Sequence, residues 1–184
     1  MNLNEYKILN LIYSKNKSLF FREISKLSGV SIGGTQKVLQ DYSYFLKKEI
    51  KGRNTYYSFN ENILVFYLKK ILENEKTMKF LRKKESLGLF FKKIIDENIS
   101  CLVFGSHVRS MENSESDLDL IVLSNKKIPE YLSNLKLHII NLGKKDFENI
   151  FKKKEPLSLE ILKDHVIING FDFFMEVFEK YGKN

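Results

Sequence analysis

The sequence predicts an α+β chain in two parts: a mostly helical N-terminal part closed by a β-hairpin, then a small α/β part with a mixed sheet. Three observations carry this. Apolar residues recur at helical spacing through the first 46 positions. A Gly52-Arg53-Asn54 turn then separates two strand-like segments. Beyond residue 100, short apolar runs alternate with helical stretches. The boundary is expected in the segment Asn74–Lys79, giving parts at 1–75 and 76–184.

In the first part, Leu3, Tyr6, Ile8, Leu9, Leu11 and Ile12 fall largely on one helical face, which predicts a helix over 3–14. Phe20, Phe21, Ile24 and Leu27 repeat that pattern in a shorter helix ended by Gly29. Ser31 is placed to cap a third helix from Ile32 to Leu46, with Val38, Leu39, Tyr42 and Phe45 inward. Glu49–Lys51 and Thr55–Asn60 then form the hairpin, because Gly and Asn supply its turn.

Residues 61–97 read as almost wholly helical, and this stretch either pairs with its copy in a homodimer or covers the hairpin. Cys101–Phe104, Leu118–Leu123 and Leu135–Leu142 read as strands. Afterwards come a helix near Lys145–Lys153, a break at Pro156, a short helical stretch from Ser158, a brief strand over Asp164–Ile168 and a closing helix over Phe171–Tyr181. Asp164 and His165 are expected to be a helix cap and a strand-end histidine.

Composition narrows the function classes. A hydrophobic content of 43% and an aromatic content of 13% belong to a folded globular protein. No run of about eighteen apolar residues and no leader pattern occurs, so a cytoplasmic protein without a membrane partner is expected. Its single cysteine, Cys101, forms no internal disulfide and is expected in the core. One Cys and three scattered His cannot build a structural zinc site. Residues 1–60 carry ten Lys/Arg against four Asp/Glu, a net +6, whereas residues 99–184 carry twelve against thirteen. The basic excess therefore lies in the N-terminal part and points to a polyanion there.

The chemistry is concentrated in Leu102–Ile121, LVFGSHVRSMENSESDLDLI. Gly105-Ser106 ends one strand where a helix could begin, and unpaired N–H groups at such a turn attract phosphate oxygens. Ten residues later, Asp117 and Asp119 open the next strand and project from one face, their Cα atoms roughly 6.5–7 Å apart. Two carboxylates held that close favour a cation between them, and oxygen-only ligands favour Mg²⁺ or Mn²⁺. A divalent metal beside a phosphate-binding turn implies phosphoryl or nucleotidyl chemistry. A surface hairpin with solvated acids is the structural alternative.

Gly-Ser, ten residues, Asp-x-Asp resembles the minimal nucleotidyltransferases of the polymerase-β-like group, with Arg109 where that family often has a basic residue. The resemblance implies transfer of a nucleotidyl group, AMP from ATP, with the metal on Asp117 and Asp119 and the triphosphate cradled by Gly105 and Ser106. It further implies a protein hydroxyl as acceptor, since some members modify a HEPN-type toxin. The family usually carries a third carboxylate on the next core strand; here the corresponding position is His138, and no acid occurs between Glu130 and Asp146. His138 is either a ligand or base, or a plain edge-strand histidine.

Residues 3–60 resemble a winged helix-turn-helix. That resemblance places Gly33, Gly34, Thr35, Gln36 and Lys37 at the exposed start of a helix that enters the major groove of duplex DNA, with Arg53 at the hairpin tip. Gln36 would read an adenine edge, Lys37 a guanine or a phosphate, and Arg53 the backbone or minor groove. Dimerisation or protein contact is the other use of such a domain. The expectation is a DNA-binding nucleotidyltransferase; the alternative is a winged-helix regulator whose second domain is catalytically degenerate and senses nucleotide or only dimerises.

Overall fold

A computed structural model describes residues 1–109, 117–124 and 136–182 of the chain. Leu135 and most of the interval between Ser106 and Asp117 lie outside the described residues. The chain divides into two compact units, Met1–Leu72 and Glu73–Asn184.

The first unit begins with helix α1 (Leu3–Lys15), started by a capping box in which the Asn2 side chain accepts from Glu5 N–H and Glu5 reaches back to Asn2 N–H. Strand β1 (Leu19–Phe20) follows, then α2 (Phe21–Ser28), which Gly29 closes in the left-handed conformation. Ser31 caps α3 (Ile32–Asp41), its Oγ accepting from Gly34 N–H at 3.2 Å. This helix is shorter than the sequence suggested. A 3-10 turn at Ser43–Phe45 ends it, and Leu46 opens strand β2 (Leu46–Lys51), which pairs with β3 (Asn54–Phe59) across the two-residue turn Gly52-Arg53. Gly52 has φ +62°, as the first position of such a hairpin turn requires.

β1 pairs with the far side of β3, so the antiparallel sheet has the order β1-β3-β2. Ile8, Ile12, Leu19, Ile24, Val38, Leu39 and Leu46 form the core between helices and sheet. Leu27, expected inward, is half exposed, because α2 turns only Ile24 fully into that core.

Helix α4 (Ile63–Lys83) runs unbroken through Asn74–Lys79, where the sequence suggested a boundary, and the division falls inside the helix after Leu72. Leu68 and Leu72 pack with Leu9 and the rims of Tyr6, Tyr13, Tyr42, Phe45 and Phe59. A 3-10 turn at Glu85–Leu87 leads into α5 (Gly88–Asp96).

The second unit is built on β4 (Ser100–Phe104), β5 (Leu118–Leu123), β6 (Leu137–Asn141) and β7 (His165–Asn169), in the order β6-β5-β4-β7. β5 and β6 are parallel and the other pairs antiparallel, so the sheet is mixed as expected. Alternation sends Cys101, Val103, Leu118, Leu120, Val122, Val166 and Ile168 into one core with Phe80, Phe90, Phe91 and Ile94. The other helices among the described residues are the single turn α6 (Ser106–Arg109), α7 (Lys144–Lys152), α8 (Pro156–Lys163) and α9 (Phe171–Tyr181). Phe147, Phe151, Phe174 and Phe178 of α7 and α9 are buried against one another.

His165 is more than a strand-end residue. Its Nδ1 donates to the Ile161 carbonyl at 2.7 Å, which turns Nε2 toward Glu73 Oε1 at 3.4 Å. Glu73 is fully buried, with Lys76 Nζ 3.1 Å from its carboxylate. Burial pushes this carboxyl up, but the adjoining imidazole and ammonium outweigh burial and hold it down at about 2. Nearby, the Thr77 hydroxyl donates to the Ile167 carbonyl at 2.7 Å.

Candidate functional site

The site is set by how β4 ends. Gly105 leaves the strand at φ +78°, a conformation that a residue with a Cβ adopts only with strain. A Cβ at this position would also collide with the Asp119 carboxylate, since Phe104 and Asp119 are cross-strand partners. Glycine is therefore required twice over: for the turn, and for the close approach of an acid to the backbone. Ser106 then starts α6, whose single turn is closed by Arg109 N–H bonding the Gly105 carbonyl at 3.4 Å.

Asp117 immediately precedes β5 and Asp119 is its second residue. Leu118 between them points into the core, so the two acids share the opposite face, as period two demands. Asp119 is paired in register with His138 on β6, and His138 Nδ1 lies 2.9 Å from Asp119 Oδ1. His138 therefore does occupy the neighbouring-strand position beside the acids. It lies on an edge strand and is exposed.

Lys136, two residues earlier, places its Nζ 3.3 Å from Asp117 Oδ2. Sequence reasoning missed this lysine, although a residue two before His138 on a strand shares its face. Each acid thus has one basic neighbour from the β6 side.

Among the described residues one buried carboxylate oxygen of this pair is left over. Asp117 Oδ1 is buried, and no hydrogen bond to it occurs among the described residues. A buried anionic oxygen without a partner is costly, and a hard divalent cation is one group that would relieve it. The donors here, carboxylate oxygens beside a glycine turn, fit Mg²⁺ or Mn²⁺. Among the described residues no three His, Cys, Asp or Glu side chains gather to hold a metal. Arg109 points its Nη1 toward Glu160 on α8, 3.8 Å away, an ion pair between residues too far apart in sequence for any local pattern to indicate it.

The N-terminal residues separate into two groups. Gln36, Lys37 and Arg53 are exposed. Thr35 is not exposed: it is fully buried and its hydroxyl donates to the Val30 carbonyl at 3.4 Å, because the fourth residue of α3 faces the core. Its hydroxyl holds the start of α3. Gln36 and Arg53 border one cavity, together with Arg22 from the start of α2, which no sequence pattern placed there.

No helix among the described residues is long and apolar enough to cross a membrane. Comparison with curated proteins and with solved structures finds no match. Residues 85–169 match the family model described as a nucleotidyltransferase domain, a span that begins before α5, ends with β7 and includes Gly105, Ser106, Asp117, Asp119 and His138.

Proposed function

We propose that the chain is a metal-dependent nucleotidyltransferase that moves AMP from ATP to a hydroxyl acceptor, and that its first unit binds duplex DNA. The observation that carries the first part is the buried Oδ1 of Asp117, which has no hydrogen-bond partner among the described residues, beside Asp119 and across from the Gly105-Ser106 turn. In this reading Asp117 and Asp119 hold Mg²⁺ or Mn²⁺, Gly105 and Ser106 receive the triphosphate through backbone N–H groups, and Arg109 neutralises phosphate charge. The bound metal supplies Lewis-acid polarisation of the phosphoryl oxygens. Lys136 and His138 yield the carboxylates they face when the site fills, and His138 is then the nearest group able to accept the acceptor's proton.

The helices and hairpin of the first unit, with Gln36, Lys37 and Arg53 exposed, support a winged-helix reading and contact with duplex DNA. A HEPN-type toxin as acceptor enters this proposal through the family resemblance, and a homodimer through pairing of residues 61–97 with their copy; a cytoplasmic setting completes it. Asp117→Asn with Asp119→Asn should abolish Mg²⁺-dependent ATP binding and leave the fold intact, since the basic partners of both acids among the described residues are exposed and add little stability. Calorimetry showing equal ATP affinity with and without both acids would remove the metal site.

A second reading has its own observation. His138 stands beside Asp119 where a third acid would complete the metal site, which suits a regulator that binds nucleotide without turnover. Label transfer from ATP to acceptors distinguishes the two.

A further inference from the structure

The first unit holds a cavity of about 490 Å³ that nucleotidyl transfer does not use. It is lined by the start of α2, by α3, and by the β2–β3 turn with the strand that follows. Its size lies within the range of small-molecule clefts, about 300–1,000 Å³. Two guanidinium groups, Arg22 and Arg53, line it, and no carboxylate does. Both arginines are exposed, and among the described residues neither is held in an ion pair.

Two like charges converging on one concavity suit an anion, and the planar fork of arginine suits phosphate in particular. Phe20 and Tyr57 add flat apolar surface to the wall, and the Gln36 and Asn54 amides carry both donors and acceptors. Phosphate on the arginines, a ring against an aromatic face and amides at the ring edge together describe a nucleotide. None of these side chains belongs to the carboxylate site.

We propose that this cavity is a metal-independent nucleotide site, and that a nucleotide held there excludes duplex DNA. The exclusion follows because Gln36 and Arg53 are also the side chains the unit would offer to a duplex. It rests on the DNA-binding reading, whereas the pocket itself does not.

The test uses the full chain in EDTA, with AMP as the probe in calorimetric titrations. AMP should bind without divalent metal. Its affinity should fall about tenfold or more in Arg22→Gln/Arg53→Gln, because charged hydrogen bonds are lost. In Asp117→Asn/Asp119→Asn the affinity should be unchanged. No AMP binding in EDTA, or binding lost in the aspartate variant and kept in the arginine variant, would overturn the proposal. Inorganic phosphate should bind more weakly than AMP; equal affinity would leave a phosphate site and overturn the nucleotide assignment. In a final arm, AMP at fixed ionic strength should release a labelled duplex. A duplex that binds and is not released overturns the exclusion alone. AMP binding with no duplex binding overturns the DNA reading and upholds the pocket.

Discussion

At the scale of single residues, Gly105 and Glu73 show how little freedom some positions have. Replacing Gly105 with Ala forces a Cβ into the left-handed region, at about 1–2 kcal/mol, and into the Asp119 carboxylate. The expected outcome for Gly105→Ala is a loss of that size in urea melts, together with a larger loss of Mg²⁺-ATP affinity as Asp119 is displaced. Glu73 has the opposite character: it is a buried anion whose charge is needed. Its folded value of about 2 lies below the ordinary 4.5, so its stabilisation is fully present above about pH 5 and fades as pH falls toward 2. Glu73→Gln should cost roughly 3 kcal/mol at neutral pH, the scale of breaking a buried pair. The gap between variant and wild-type urea midpoints should narrow in acid, and a gap independent of pH would contradict the assigned ion pair. His138 is tested by gain of function. If it fills the place of a third acid, wild type binds Mg²⁺-ATP yet transfers label weakly, and His138→Asp increases the label, because base assistance is worth about 10²–10⁴-fold. Strong wild-type transfer that survives His138→Ala would show that His138 has no part in the chemistry.

At the scale of elements, the helices α7 and α9 dock through aromatic rings. Phe147 is fully buried, with ring centroids 4.8 Å from Phe151 and 5.2 Å from Phe174. Phe147→Ala should destabilise the chain by about 3–5 kcal/mol in urea melts, because neighbouring rings cannot collapse into so large a void. These elements were readable from sequence: Phe171–Tyr181 has clear helical spacing and ends at Gly182, and β5 starts and stops with its apolar run Leu118–Leu123. The end of α3 was not readable, because Tyr42, Phe45 and Leu46 continue the helical spacing and only the pairing of Leu46 with Phe59 pulls the chain into a strand. Local pattern likewise put Asp117 and Asp119 on one face and set His138 beside them. It was silent on Lys136, on Arg22 and on the Glu73–His165 pair, since these depend on which strand lies next to which or on contacts across about ninety residues of sequence.

At the scale of the whole molecule, charge is divided as the chain is. The net +6 over residues 1–60 accounts for most of the overall +8, while the segment from residue 99 onward is nearly neutral. An enzyme site that must accept a triphosphate with its metal gains little from a strongly cationic surround, whereas a duplex-binding face needs one. If the first unit uses that charge on DNA, affinity should fall linearly in log–log form with salt, with a slope near −0.9 for each phosphate neutralised. Lys37→Ala and Arg53→Ala should each weaken binding to any sequence and flatten the slope by about one if each side chain meets a phosphate. Gln36→Ala should behave differently: it carries no charge, so the slope should hold while preference among sequences relaxes. Thr35→Val should leave DNA affinity unchanged, because its hydroxyl is spent on the Val30 carbonyl inside the unit. Anisotropy titrations of a labelled duplex across salt concentrations measure all four. A flat salt response in a folded wild-type chain would mean that the basic half serves some partner other than a nucleic-acid backbone.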